Sequence, residues 1–80
     1  MSTLAVIREP LATEVEVTES ALRLVLADGR EISAPLAWFP RLLRATPAER
    51  RDWRLIGSGV GVHWPALDED ISVASLLNAR

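Results

Sequence analysis

The chain has 80 residues, which is enough for one small domain. Nine arginines and eleven acidic residues give a net charge of −2, and 49% of the residues are hydrophobic, a composition that excludes a disordered, collagen-like or free basic nucleic-acid-binding chain. The absence of cysteine excludes a disulfide framework and a thiolate zinc site, and no apolar run reaches the ~18 residues that span a bilayer.

The N-terminal segment differs in character from the remainder. Residues 1–12 are interpreted as a lead-in, and residues 13–80 as a single domain. The apolar run at residues 4–7 is compatible with an edge strand or with a loosely docked arm. Because the N-terminus lacks the basic start and long apolar stretch of a secretory signal, we expect a cytoplasmic protein.

Alternating apolar residues then predict a three-stranded antiparallel meander. A first turn at residues 19–20 brings the apolar residues of neighbouring strands opposite one another and pairs Glu16 with Arg23 on the outer face. The inner face predicted in this way consists of Val15, Val17, Leu22, Leu24, Leu26, Ile32 and Ala34.

The second turn contains Asp28 and Gly29 and has two alternatives. A two-residue loop would place Leu24 against Ser33, whereas a three-residue loop with a left-handed Gly29 places Leu24 against Ile32. We choose the three-residue loop with a glycine bulge, because it keeps one face of the sheet apolar.

Helical signals follow the meander, whose third strand Pro35 ends. A helix is predicted over residues 36–45, with Pro40 in its first turn. Its apolar side is predicted to consist of Leu36, Phe39, Leu42 and Leu43. Thr46 and Glu49 then form a capping box that opens a short helix ending near Trp53.

The last third of the chain predicts a second hairpin and a terminal helix. Residues 55–56 and 60–64 flank a glycine-rich turn, with Val60, Val62 and Trp64 on one face. Ser72 is predicted to cap a helix over residues 73–78, with the acidic residues 68–70 at its positive start. The fold class is therefore α+β: an antiparallel β-meander plus a second short hairpin, covered on one face by two or three short helices.

Charge is distributed unevenly along the chain. Residues 41–54 carry a charge of +3, whereas residues 1–40 carry −3. The basic segment contains Arg41, Arg44, Arg50, Arg51 and Arg54. One interpretation is a patch that binds an acidic partner or nucleic acid. The other is a solvated helix face whose arginines pair locally with Glu49 and Asp52, which is the more common outcome for charge runs.

The single histidine, His63, lies close in sequence to Asp68 and Asp70. A hydrolytic zinc site normally needs three protein ligands, and a triad needs an oriented nucleophile. We therefore expect a surface histidine hydrogen-bonded to a nearby carboxylate, and no catalytic residue, metal or cofactor.

Two further features have a structural and a functional interpretation. The glycines at positions 57, 59 and 61 lack the spacing and the lysine of a phosphate-binding loop, which favours a hairpin turn. Trp38 and Trp53 either cover the core or, next to arginines, anchor an interface.

Several segments resemble a small bacterial family catalogued as domain of unknown function 2442. The matching segments are residues 22–30, 35–42, 46–50, 59–72 and 76–77. The most specific of them is the string Gly61-Val62-His63-Trp64-Pro65-Ala66-Leu67-Asp68-Glu69-Asp70-Ile71. This resemblance implies an α+β fold, no established catalytic activity and no established functional residues.

The resemblance also implies a genetic context. Family members are often encoded beside another small protein, in an arrangement similar to toxin–antitoxin pairs, and some carry an added helix-turn-helix domain. The chain ends at Arg80 and leaves no room for that domain, so we do not expect DNA binding by that route.

The leading hypothesis is a non-enzymatic, antitoxin-like or regulatory module that binds a small protein partner encoded next to it. The partner-binding residues predicted are Trp38, Arg41, Arg44, Arg51, Trp53, Trp64, Asp68 and Asp70. A regulator that contacts nucleic acid through the segment between Arg41 and Arg54 is the alternative, and a metal-dependent hydrolase around His63 ranks last. A homo-oligomer is compatible with the sequence, and a membrane partner is not expected.

Overall fold

The computed structural model describes residues 10–78, so the apolar run at residues 4–7 lies outside the described residues. The elements in this range are strands β1 (Ala12–Val17), β2 (Ala21–Leu26) and β3 (Glu31–Pro35), helices α1 (Pro40–Leu43) and α2 (Pro47–Arg51), strands β4 (Arg54–Ile56), β5 (Gly61–Trp64) and β6 (Glu69–Ser72), and helix α3 (Val73–Leu77). One-turn 3-10 helices at Leu36–Trp38 and Pro65–Leu67 complete them. None of the helices between residues 10 and 78 is long and apolar enough to cross a membrane.

The first three strands form the N-terminal sheet, an antiparallel meander in the order β1-β2-β3. Val15 lies opposite Leu24, and Glu16 lies opposite Arg23. The predicted first turn and its register are therefore confirmed. Arg23 donates to Glu16 Oε1 across 2.7 Å, so the predicted pair forms on the outer face.

The second turn is the predicted three-residue loop. Leu26 donates its N–H to the carbonyl of Arg30 across 2.8 Å, and Leu24 lies opposite Ile32. Gly29 has a φ of +94°, a conformation that side chains with a Cβ rarely adopt. The choice of the longer loop is confirmed, and the leucines of β2 all face inward.

The predicted continuous helix over residues 36–45 is wrong. The chain forms the 3-10 turn Leu36–Trp38, leaves helical geometry at Phe39 (φ −124°, ψ 83°) and starts again as α1 at Pro40. The proline ring disfavours helical geometry in the residue before it and provides no N–H to continue the first helix. The break turns Leu43 outward, where 46% of it is exposed, so its predicted place on the apolar side is also wrong.

Helix α2 begins with the predicted capping box. The Thr46 hydroxyl accepts from the N–H of Glu49 across 3.1 Å, and Glu49 Oε1 accepts from the N–H of Thr46 across 2.9 Å. Pro47 occupies the first helical position, where its missing N–H is tolerated. The helix ends at Arg51, slightly before the predicted end near Trp53.

The last third forms the C-terminal sheet, with three strands in the order β4-β5-β6. The hairpin of β4 and β5 is confirmed. Strand β6 was not predicted: Glu69 and Asp70 pair with Trp64 and His63, so these two acidic residues belong to a strand rather than to a helix start, and Asp68 ends the 3-10 turn before it. Acidic side chains are typical of an edge strand, because they discourage pairing with another chain.

Helix α3 begins as predicted at Ser72, whose hydroxyl accepts from the N–H of Ser75 across 3.2 Å. Val73 also donates to the carbonyl of Val60 across 3.0 Å, which holds the helix start against the turn at residues 57–60. Leu76 is half-buried against the core. The local capping signal therefore predicted the helix, although the preceding strand was missed.

Both sheets contribute to one hydrophobic core. Its buried members are Ala12, Leu22, Leu24, Leu26, Leu36, Leu42, Val62, Trp64, Ile71 and Val73. The outer face of the N-terminal sheet carries charged side chains, and the described part of the chain covers its inner face alone. The predicted α+β class is confirmed.

Candidate functional site

Trp64 was predicted as a partner-binding residue, and this is wrong. Its side chain is fully buried, and its indole Nε1 donates to the carbonyl of Arg50 across 3.1 Å. The residue lies on the same face of β5 as Val62, and that face forms the core. Trp64 therefore packs in the core and binds the backbone of helix α2 instead of contacting a partner.

His63 lies on the opposite face of β5, as strand alternation predicts. Its Nδ1 is hydrogen-bonded to Asp70 Oδ1 on β6, and the Asp70 side chain is largely exposed. This is the predicted hydrogen-bonded surface histidine. Between residues 10 and 78, no three histidine or acidic residues are arranged to hold a metal ion.

Arg41 and Asp68, both predicted partner-binding residues, meet in a structural contact. Arg41 Nη1 donates to the backbone carbonyl of Asp68 across 2.6 Å and lies 3.6 Å from Glu69 Oε1. Asp68 is held in the left-handed region, with a φ of +52°. The contact fastens α1 to the start of β6, while the side chain of Arg41 stays 59% exposed.

The arginine segment divides into two groups in the structure. Arg50 donates from Nε to the carbonyl of Leu42 across 3.0 Å and from Nη2 to that of Leu43 across 2.9 Å, so it joins α2 to the end of α1. Its role was not predicted from the sequence. The unpaired carbonyls at the end of a helix are the signal that could have indicated it, because arginine is a suitable donor for them.

The remaining members, Arg44, Arg51 and Arg54, are exposed. In the described part of the chain none of them has a carboxylate within 4.0 Å. The predicted local pairing with Glu49 and Asp52 does not form, since Glu49 caps α2 instead. These three charges remain available to an external group.

Trp38 is exposed to 49%, on the 3-10 turn that packs against α1. Leu43 and Arg44, at the end of α1, are also exposed. Tryptophan and arginine, two of the residue types on this surface, are enriched at interfaces. The partner-binding role of Trp38 and Arg44 stays a prediction.

A deeper feature lies between β1 and α2. A groove of about 620 Å³ lies between residues 15–19 on one side and Pro47, Arg50, Arg51 and Trp53 on the other, so Glu16 and Glu19 also line it. It brings together two of the predicted partner-binding residues, Arg51 and Trp53, and leaves the others elsewhere. We call this feature the edge groove.

The strand side of the edge groove has an open backbone edge. Thr18 donates to the carbonyl of Ala21 across 2.8 Å, and in an antiparallel ladder every second residue makes such bonds. Glu16 therefore bonds to Arg23 on β2, whereas Val15 and Val17 direct their N–H and C=O groups away from β2. Within residues 10–78, β1 lies at the edge of its sheet, and its position as the first strand of the predicted meander is the signal that could have identified these two valines from the sequence.

The outer face beside this edge is acidic. Glu14, Glu16 and Glu31 carry three negative charges there, and Arg23 carries one positive charge. Hydrogen bonds to Glu31 first and then to Glu16 raise the pKa of Arg23 above its ordinary value, so it stays charged at any relevant pH. The remaining charge of this face is −2.

The comparisons with known proteins identify a family and a fold. The family model described as "Protein of unknown function (DUF2442)" matches residues 12–80. A crystal structure of a protein of unknown function from Rhodospirillum rubrum has a TM-score of 0.74 and 25% identity, covering 89% of this chain and 88% of that one. No curated protein matches this chain.

A second solved structure supports the same fold. The solution structure of an uncharacterized protein from Chromobacterium violaceum has a TM-score of 0.71 and 28% identity. The match covers 85% of this chain and 64% of that one. The resemblance noted in the sequence is therefore confirmed.

Proposed function

We propose that this chain, which belongs to the DUF2442 family, is a non-enzymatic module that binds a protein partner in the edge groove. The observation that carries the proposal is the open edge of β1. Among residues 10–78, the outward backbone donors and acceptors of Val15 and Val17 have no partner, and they lie beside a groove with an aromatic wall. A partner strand can satisfy these groups by adding to the sheet, which is a common mode of peptide recognition.

The second wall of the edge groove is rigidly supported. The indole of Trp64 donates a hydrogen bond to the carbonyl of Arg50, and the guanidinium of Arg50 donates to the carbonyls of Leu42 and Leu43. Trp53 is half-buried against the core at the end of this wall. A preformed wall lowers the entropic cost of binding, because little has to be ordered when the partner arrives.

The proposed mechanism is masking. A partner segment held in the edge groove is unavailable for the partner's own activity, which is how an antitoxin-like or regulatory protein acts without performing chemistry. The proposed partner is a small protein encoded next to this one, and the proposed compartment is the cytoplasm. The exposed surface around Trp38 provides a second contact with the same partner.

A pair of variants at one position tests the proposal. Val17→Pro removes the outward N–H and keeps the ladder to β2, whereas Val17→Ala keeps the N–H and shortens the side chain. Both variants are used to capture proteins from the native host, with quantitative mass spectrometry. We expect a stoichiometric partner that Val17→Ala retains and Val17→Pro loses.

Two results would contradict the proposal. One is the recovery of no stoichiometric partner by the unmodified chain. The other is a partner that binds the folded Val17→Pro variant as well as it binds Val17→Ala. Thermal unfolding of both variants confirms that they are folded under the capture conditions.

A regulator that contacts nucleic acid is the second candidate. The observation in its favour is that Arg44, Arg51 and Arg54 have no carboxylate partner among residues 10–78. It requires binding that weakens steeply as salt rises and that a double Arg44→Ala/Arg51→Ala variant abolishes. Undetectable or salt-independent binding at low ionic strength eliminates it.

A further inference from the structure

The apolar inner face and the acidic outer face of the sheet beside the β1 edge favour a segment with matching side chains on each face. We infer that the occupant of the edge groove is an extended segment of a partner protein in which apolar and basic residues alternate. This inference rests on the proposed function and adds the chemical class of the partner.

The first step is the backbone. Val15 and Val17 direct four hydrogen-bonding groups outward, and an extended segment is the form of polypeptide that matches their spacing. An added strand continues the alternation of the sheet. Its residues therefore point in turn to the inner face and to the outer face.

The second step is the inner face, which selects apolar residues. The side chains of Val15 and Val17 are half-buried, and Pro47 and Trp53 lie across the groove from them. Arg51 is the basic group that α2 offers to the groove, because Arg50 is bound to the carbonyls of α1, while Glu16 and Glu19 line the groove from the β1 side. A basic side chain on the inner face would face Arg51, so the basic residues of the occupant belong on the other face.

The third step is the outer face, which selects basic residues. Glu14 and Glu16 are exposed on β1 immediately beside the open edge, and Glu19 follows in the turn. Arg23 offsets part of this charge by pairing with Glu16 and Glu31. Opposite charges on directly opposed residues of neighbouring strands each contribute about 0.2–1 kcal/mol, and like charges destabilise.

The same charges disfavour a second copy of this chain as the occupant. The antiparallel register that uses the free groups of both Val15 and Val17 is centred on Glu16, so Glu16 of one copy would face Glu16 of the other. Opposed like charges are a common way to prevent edge-to-edge association. A partner with lysines or arginines at these positions meets the opposite charge instead.

Three capped peptides of about six residues test this assignment. The first alternates lysine and valine, the second alternates glutamate and valine, and the third has the composition of the first arranged in blocks. Each is titrated into the full chain labelled with nitrogen-15, and hydrogen exchange at the amides of Val15 and Val17 is measured. The alternating lysine–valine peptide should slow this exchange and bind at least about tenfold more tightly than the other two.

Two variants and a salt series complete the experiment. Glu14→Lys should reverse the preference between the lysine and glutamate peptides, and Val17→Pro should abolish binding of all three. Raising the salt from about 0.1 M to about 1 M should lower the affinity of the lysine–valine peptide for the chain, since salt screens exposed charge pairs.

Each contrary result has a distinct meaning. If the glutamate peptide protects Val15 and Val17 equally well, the basic class of partner is wrong and the groove remains a binding site. If no peptide protects them, or if sedimentation shows a dimer that Val17→Pro dissociates, the inference is overturned. The capture experiment with the Val17 variants judges the proposed function separately.

Discussion

The backbone N–H of Ala12 donates to the carbonyl oxygen of Gly59 across 2.7 Å, which ties the first residue of β1 to the turn between β4 and β5. A Cβ on Gly59 would lie 2.3 Å from the carbonyl oxygen of Ala12. Gly59 also has a φ of +115°, in the region that favours glycine. The two sheets therefore meet at a position that has no space for a side chain.

Gly59→Ala should destabilise the protein by more than about 3 kcal/mol, because backbone strain and displacement of Ala12 add together. Gly29→Ala is the matched control. Gly29 has a φ of +94° with no atom within 4 Å of the added Cβ, so the cost there should be about 1–2 kcal/mol. Equal free energies of unfolding in urea for the two variants would show that the contact with Ala12 is unimportant.

Trp64→Phe should cost about 2–4 kcal/mol of unfolding free energy. The variant loses the hydrogen bond to the carbonyl of Arg50 and leaves a space in a fully buried site. Trp38→Phe is the control, since Trp38 is half exposed and should change stability by less than about 1 kcal/mol. Chemical denaturation of both variants measures the difference, and similar losses would contradict the assignment of Trp64 to the core.

Proline substitutions along β1 should separate the residues that bond to β2 from those that do not. Val17→Pro should cost less than about 2 kcal/mol, because the N–H that it removes faces the open edge. Glu16→Pro should cost about 3 kcal/mol or more, because it removes a bond to Arg23 in the ladder. Thermal unfolding ranks the two, and the reverse order would show that the edge has been assigned to the wrong residues.

The turn of the second hairpin, between β2 and β3, should make stability sensitive to acid. The N–H of Arg30 donates to Asp28 Oδ1 across 3.0 Å, and this bond is the main reason that the pKa of Asp28 lies below its ordinary value of 3.8. A lowered pKa in the folded state means that the carboxylate stabilises the fold above pH 3.8. This stabilisation is lost as the pH falls through the lowered pKa.

Asp28→Asn should therefore lower the melting temperature near neutral pH by a small amount, and this difference from the unmodified chain should vanish below the folded pKa. Melting curves from neutral to acidic pH measure this difference. Arg30→Ala removes the guanidinium and keeps the backbone donor, which is the largest single cause of the lowered pKa, so the pKa of Asp28 should stay below its ordinary value. An ordinary pKa for Asp28 in that variant, measured by NMR titration, would mean that the side chain is the main cause.

Parts of this fold with a strong local signal were predictable. The register of β1 and β2 followed from alternation and from the Glu16–Arg23 pair, and Gly29 fixed the length of the second turn. The capping box of α2 needs two side chains three residues apart. In each case the groups that interact are close along the chain, so these elements could be predicted without knowing the tertiary packing.

The errors concern residues whose environment depends on distant parts of the chain. Strand β6 was missed because Glu69 and Asp70 have low strand propensity, and only pairing with β5 makes them a strand. Trp64 was placed on the correct face of β5, but the sequence did not show that this face is closed over by the core. Arg50 was interpreted as surface charge because its acceptors are backbone carbonyls, which a sequence does not display.

The sequence by itself determined the meander, its register, the helix caps and the α+β class, because each depends on contacts within a hairpin or a single turn. Only the tertiary structure decided which aromatic residue is buried, which arginines have no carboxylate partner within residues 10–78 and where the edge groove lies. These depend on how the two sheets pack together, and that packing is set by the summed burial of apolar side chains from both ends of the chain rather than by any local pattern.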